Sequence, residues 1–361
     1  MKRISQLDGI RGIAILLVII WHYIPCQYAD RTSPFGWLCR CLSLTWCGVD
    51  LFFVLSGFLI AGILLDEQKS SHYFKVFYIR RICRIFPLYF SILILFIIAQ
   101  QFAFSQKQEF YWLFKDPFPY WSYATFTQNF WMAAKDTFGP HWLGMTWSLA
   151  VEEHFYLFLP LMIYFLPRTT VFPILIGMIL MAPLLRASTS SFFWGFVATP
   201  WRADSLLFGS CLAMFVRSKS LMEIVLSYKR ALIGLWIIML FGATVLTFYP
   251  ARFGSFDHLW LSGLFSLFIL LAITETIPLL NGFLTNPIMV QIGTLSYGMY
   301  MFHELIVGSL HAFFFGKAPR IESAADLYMN VLAFIVTIVL AAFSYYFFEL
   351  PILKYGRKFR Y

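Results

Sequence analysis

Residues 7–23, "LDGIRGIAILLVIIWHY", decide how the whole chain is read. Asp8, Arg11 and His22 interrupt a run that is otherwise apolar or glycine and, with its flanks, long enough to cross a hydrocarbon core as a helix. Arg11 and His22 are eleven positions apart, which at about 100° per residue is three turns plus roughly 20°. They therefore share one face, separated by about 16 Å along the axis. Asp8, one turn before Arg11, is placed to pair with it. Ionisable groups at membrane depth are costly and usually face a protein-lined cavity. The alternative is that Arg11 snorkels to the interface and His22 is a plain interfacial histidine.

The rest of the chain has the same character. Of its 361 residues 60% are hydrophobic, 20% aromatic and only 12% charged, far from the quarter charged of a soluble domain. The apolar excess falls in blocks, giving an all-α, polytopic membrane protein of about ten transmembrane helices. The expected spans are 9–28, 47–65, 86–104, 148–166, 171–187, 203–217, 231–249, 257–277, 290–313 and 328–348. They form one integral-membrane domain over 1–361, with no separate soluble domain. Arg11 abuts the first apolar run and many spans follow, so residues 1–28 read as a retained span and not a cleaved leader. Most of the 27 Lys and Arg flank spans on the side shared by Lys2, Arg3 and Arg11, which puts both termini in the cytoplasm. The net charge of +9 is then explained by membrane lipids, and nucleic acid is not expected as a partner.

Two segments stand out under that topology. Residues 66–86, "DEQKSSHYFKVFYIRRICRIF", form a basic amphipathic stretch on the inner face. Residues 105–147 form a long aromatic loop on the outer face, suited to lipid-interface packing or to stacking against a sugar. Cys26, Cys39, Cys41 and Cys47 fall in or beside the first outer loop, where one or two disulfides are expected in an oxidising compartment. Metal-ligand spacing is weak, and no metal site is expected.

Several polar groups lie within the spans. Asp50 enters the second span close in depth to where His22 leaves the first, and a carboxylate there would hold the imidazole tautomer. A surface Asp near a helix N-terminus is the competing reading. "WSLAVEEHFYLFLP" sets Glu152 and Glu153 inside an apolar frame, about 100° apart, so at most one faces a given partner well. "YIRRICRIFPLY" clusters Arg80, Arg81 and Arg84 at helical spacing. Such a cluster grips phosphate by bidentate hydrogen bonds, or touches anionic lipid headgroups. His303 and Glu304 sit in the apolar "LSYGMYMFHELI", and Arg202 and Asp204 in "WRADSLLFGS" read as a local ion pair at a membrane edge.

Taken in order, "LDGIRGIAILLVIIWHY", "GVDLFFVLSGFLI", "RRICRIFPLY", "WSLAVEEHFYL", "RADSLLFG", "LSYGMYMFH" and "FFELP" resemble the acyltransferase-3 family of integral-membrane acyltransferases, nearly end to end. The resemblance implies transfer of an acyl group, usually acetyl, from acyl-CoA (acetyl-CoA) as co-substrate, with no permanently bound cofactor. The acceptor it implies is a hydroxyl of a lipid-linked or envelope carbohydrate such as lipopolysaccharide O-antigen, at the bacterial inner membrane. By the same resemblance His22 is the catalytic base, while Arg11 and the Arg81/Arg84 pair belong to the acyl-CoA side. Glu152, Glu153 or Asp50 would orient His22 or steady the imidazolium, and Arg80 would add to the phosphate grip. Two other readings use the same residues: a transporter or flippase for a lipid-linked or anionic solute, and an acyltransferase acting on a small glycosylated metabolite.

Overall fold

The computed structural model describes residues 4–30, 32–106, 110–248 and 254–361, and every regular element among them is helical. Lys2 and Arg3, counted above in the charge asymmetry, lie outside the described residues, as do positions 107–109 of the aromatic loop and residue 249 of the seventh expected span. Each of the ten expected segments falls on a long helix. These are α1 (Ser5–Tyr23), α2 (Gly48–Asp66), α3 (Tyr73–Gln106), α4 (Trp147–Phe165) and α5 (Arg168–Ala187), then α6 (Thr199–Phe215), α7 (Lys229–Phe248), α8 (Asp257–Ile273), α9 (Pro287–Phe315) and α10 (Ala324–Ser344). Among the described residues six helical stretches are long and apolar enough to cross a membrane, or seven if α8 and the short helix Pro278–Leu284, bent by 93°, count as one broken span. α4 and α9, which carry Glu152 and Glu153, and His303 and Glu304, fall short because these ionisable groups lower the mean hydropathy, while α6, with Arg202 and Asp204, is also short at 17 residues.

Helix ends follow local chemistry. α9 begins where Asn286 accepts a hydrogen bond from the Ile288 amide and Pro287 takes the first turn; it stops at Gly316, whose φ of 63° only glycine adopts readily. α10 opens on a capping box in which Ser323 and Asp326 satisfy each other's backbone amides. The basic stretch is not a separate surface element: α3 runs 34 residues without a break, so its arginines ride on a rigid extension of the span.

Two glycine contacts set the frame. α1 meets α9 at Gly293, where an added Cβ would lie 1.8 Å from the Asp8 carbonyl oxygen. α2 meets α6 at Gly57, where it would lie 1.9 Å from the Leu206 carbonyl oxygen. Backbones this close exclude any side chain, the mode of packing that membrane helices favour. Gly293→Val is therefore expected to push α1 off α9 and to lower the thermal midpoint in detergent by several degrees, while Gly177→Val, at a site with nothing within 4 Å, leaves it unchanged. Equal midpoints for the two variants would refute the contact.

The cysteine expectation is narrowed: Cys41 and Cys47 carry free thiols, one exposed and one buried, so neither takes part in a disulfide. Much of the aromatic loop packs inward, with Phe114, Tyr123 and Trp142 buried, while Trp121 faces out at 58% exposure.

Candidate functional site

Arg11 pairs with Asp8 at 2.6 Å, as the spacing requires, and lines a cavity together with Arg81 and Arg84. Neither Arg81 nor Arg84 makes a salt bridge among the described residues. Arg81 lies over the rings of Phe77 and Tyr156, each 5.9 Å from its guanidinium carbon, and Arg84 lies over Tyr297 at 5.8 Å. Aromatic faces stabilise a cation without neutralising it, so this end of the cavity holds charge available to an anion. Arg80 points elsewhere: it donates to the Phe359 carbonyl at 2.7 Å and packs over the Tyr361 ring, so the C-terminal tail already occupies it. Spacing alone grouped three arginines; the structure groups Arg81 and Arg84 with Arg11.

Glu152 is at the same end. It accepts a hydrogen bond from the Tyr156 hydroxyl at 3.0 Å, and that hydroxyl also contacts Ser56 at 3.0 Å; all three line the cavity. Glu153, a third of a turn away, does not line it, and its Oε1 is buried without a partner. The expected contact of Glu152 or Glu153 with His22 is thus not formed. Glu152 shares the cavity with Arg11, Arg81 and Arg84 instead.

Asp50 is also corrected. It is completely buried and held by Arg202 at 3.0 Å, the Ser205 hydroxyl at 2.9 Å and His258 at 3.3 Å, away from His22. Arg202 also contacts His258 and is enclosed by the rings of Phe53, Trp147 and Phe196. Asp204 pairs with Arg186 at 2.6 Å and not with Arg202. Two residues apart on α6, Arg202 and Asp204 point to different neighbours, so each finds its partner on another helix.

The carboxylate that does reach His22 is Glu304 of α9, 282 positions away in sequence. His22 Nδ1 is in direct contact with Glu304 Oε1, and His141 Nε2 lies 2.8 Å from Oε2, so one carboxylate joins two imidazoles. His303 completes the cluster. Its ring is 5.0 Å from that of His22, its Nδ1 lies 2.6 Å from the Tyr300 carbonyl, and its buried Nε2 has no hydrogen-bond partner. The last turn of α1 is pinned from both sides. Gln27 donates to the His22 carbonyl at 2.8 Å, Asn330 donates to the Tyr23 carbonyl at 2.6 Å, and the Tyr23 hydroxyl donates to the His303 carbonyl at 2.9 Å. With Nδ1 engaged by the carboxylate, His22 presents Nε2 as its free nitrogen. A carboxylate in this position fixes which imidazole nitrogen carries the proton.

The ligand atoms of His22, His303 and Glu304 lie within 4.8 Å of one another, a spacing a divalent cation can bridge. In the structure the carboxylate pairs with His22, with His141 and His303 on its flanks.

Cavity and cluster meet at Tyr300. This residue lines the far end of the cavity with Val49, Phe52 and Ser148, and its ring lies 5.5 Å from that of His303. The sequence marks Glu304 as an ionisable residue in an apolar helix but gives it no role, and it does not mark His141. The signal for Glu304 was present, as an ionisable residue in an apolar helix is a functional candidate by default. His141, in an aromatic loop, gave none.

Comparison with known proteins gives the family. The model of the acyltransferase domain family (Acyl_transf_3) matches residues 4–348. The O-acetyltransferase OatA of Staphylococcus aureus strain NCTC 8325 is 28% identical over 382 residues, and OatA of strain COL is equally similar. Each alignment covers 99% of this chain and 58% of the relative, so the chain spans somewhat more than half the length of these curated relatives. No solved structure matches. With the family model covering nearly the whole chain, and several helices apolar enough to span a bilayer, this protein is a multi-pass membrane protein belonging to the acyltransferase-3 family.

Proposed function

We propose that this protein transfers an acyl group, acetyl foremost, from acyl-CoA at the cytoplasmic face to a hydroxyl of a lipid-linked or cell-envelope carbohydrate such as lipopolysaccharide O-antigen. In this reading the chain crosses the bacterial inner membrane ten times with both termini inside. The observation that carries the proposal is one cavity with Arg11, Arg81 and Arg84 at one end and, behind its other end, an imidazole braced by a carboxylate. An acyl-CoA needs these two things at these two places: cations for its phosphates and a base where its thioester arrives. The name O-acetyltransferase carried by the relatives supports an oxygen acceptor and a short acyl group.

The chemistry follows from the geometry. His22 Nε2 takes the proton of the acceptor hydroxyl as its oxygen attacks the thioester carbonyl. The tetrahedral intermediate collapses, the C–S bond breaks, and the imidazolium returns the proton to the departing thiolate, giving ester and CoA thiol. Glu304 keeps Nδ1–H aligned throughout and stabilises the transient positive charge. Direct transfer needs no acyl-enzyme, and Ser56, bound to the Tyr156 hydroxyl at the basic end, is three turns from the base. The transporter reading of the same charges gives no reason for the His22–Glu304 dyad.

The donor side is tested by separate Arg81→Gln and Arg84→Gln substitutions in membranes supplied with labelled acetyl-CoA. A charged hydrogen bond contributes about 1.5–3 kcal/mol, so each variant is expected to raise KM for acetyl-CoA by roughly 10- to 100-fold. Arg80→Gln, whose arginine is engaged by the tail, changes KM by less than about threefold. Equal sensitivity at all three positions, or none at any, would overturn the assignment.

A further inference from the structure

The proposed reaction leaves one part of the path unexplained. The cavity that starts at the arginines does not open onto His22; it ends against Tyr300 and Phe52, whose ring centroids are 6.4 Å apart. Tyr300 has the cavity on one side and His303 on the other, and His303 in turn faces His22. A thioester coming up the cavity must pass these two rings to reach the base.

The rings are held differently. The Tyr300 hydroxyl donates to the Met145 carbonyl at 2.9 Å and lies 2.7 Å from the Ser148 hydroxyl, so its ring is clamped from α4 and from the turn before it. Phe52 has no polar group to tether it and is only half-buried on α2. One wall is tethered by hydrogen bonds and the other is held by packing alone.

We infer that Phe52 and Tyr300 form an aperture that selects the acyl group by length, admitting a short acyl thioester and excluding longer chains. This rests on the acyl-CoA reading above. The acyl group leads the donor into the gap, so every carbon beyond the carbonyl must fit on the far side of the rings. That space is already occupied by His22, His303 and Glu304. A two-carbon group fits beside a packed polar cluster; a long apolar chain meets imidazoles and a carboxylate, which it would have to desolvate. The closed aperture also separates the thioester from water reaching His22, whose side chain is 29% exposed. Opened without an acceptor, it would let water attack the thioester carbonyl, giving the free carboxylic acid and CoA thiol.

The test compares acetyl-, butyryl- and octanoyl-CoA as donors for the full-length protein in membranes, following CoA thiol release with and without a crude envelope-carbohydrate acceptor. Phe52→Ala is expected to raise the butyryl-to-acetyl rate ratio at least tenfold and to increase acceptor-independent hydrolysis. Phe52→Trp is expected to lower the same ratio. Tyr300→Phe, which keeps the ring and loses the clamp, falls between wild type and Phe52→Ala. Phe52→Leu, a smaller change in volume, serves if the alanine variant does not fold, and shifts the ratio in the same direction. Donor ratios unchanged in folded variants, with all rates reduced together, would show a merely structural role and overturn the aperture while leaving the enzyme reading intact. A wild-type protein that releases CoA from no donor would remove the enzyme reading, and the aperture with it.

Discussion

Replacing His22 by alanine is expected to reduce acyl transfer by about 10²- to 10⁴-fold, the usual contribution of a positioned general base. The fold should survive, because α1 is held there through backbone groups that alanine keeps: the carbonyls of residues 22 and 23 still accept from Gln27 and Asn330. The side chain removed is partly exposed, so no large cavity forms. Glu304→Gln is expected to cost less, on the order of tenfold to a hundredfold, since the amide still fills the space but no longer carries the charge that stabilises an imidazolium. The measurement is CoA release and labelled product in membranes with matched protein, with free imidazole added to the His22→Ala variant. Rescue by imidazole identifies the missing group as a base. Wild-type rates in His22→Ala would refute the mechanism, and full activity in Glu304→Gln alone would refute the dyad.

The second large effect is on stability. Asp50 and Arg202 are both completely buried, and removing one member of such a pair leaves the other charged and unpartnered, at a cost of about 3–5 kcal/mol. Asp50→Ala is therefore expected to lower the yield of monodisperse protein and its thermal midpoint by many degrees. The fraction that folds keeps transfer activity within a few-fold of wild type, because Asp50 touches Arg202, Ser205 and His258 and not the cavity or His22. A stable but inactive Asp50→Ala protein would return Asp50 to the catalytic role that its place in the sequence suggests.

Asp50 shows where reading the sequence stops. The order of the spans suggests a depth near His22, yet α2 begins beside Ala14, Leu17 and Val18, so Asp50 lies short of the last turn of α1. Depth does not fix azimuth: α2 turns Asp50 toward α6 and α8, while α9 supplies the carboxylate. Helix periodicity did place Arg11 and His22 on one face, because that relation lies within a single helix. It could not place Glu304, because the rotation of α9 about its own axis is set by backbone contact at Gly293, which carries no polar signature. The arginine cluster was legible for the same local reason, and Arg80 was misgrouped because its partner is a carbonyl on a tail some 280 residues away. The apolar blocks in the sequence each fall on a long helix among the described residues; how the helices pack on one another was not visible.

The contact at Gly293 has a consequence for biosynthesis. It joins the first long helix of the chain to the ninth, and His22 meets Glu304 along that seam. On the proposed mechanism a nascent chain therefore gains the carboxylate that serves His22 only when its ninth long helix docks, so full activity arrives late in synthesis.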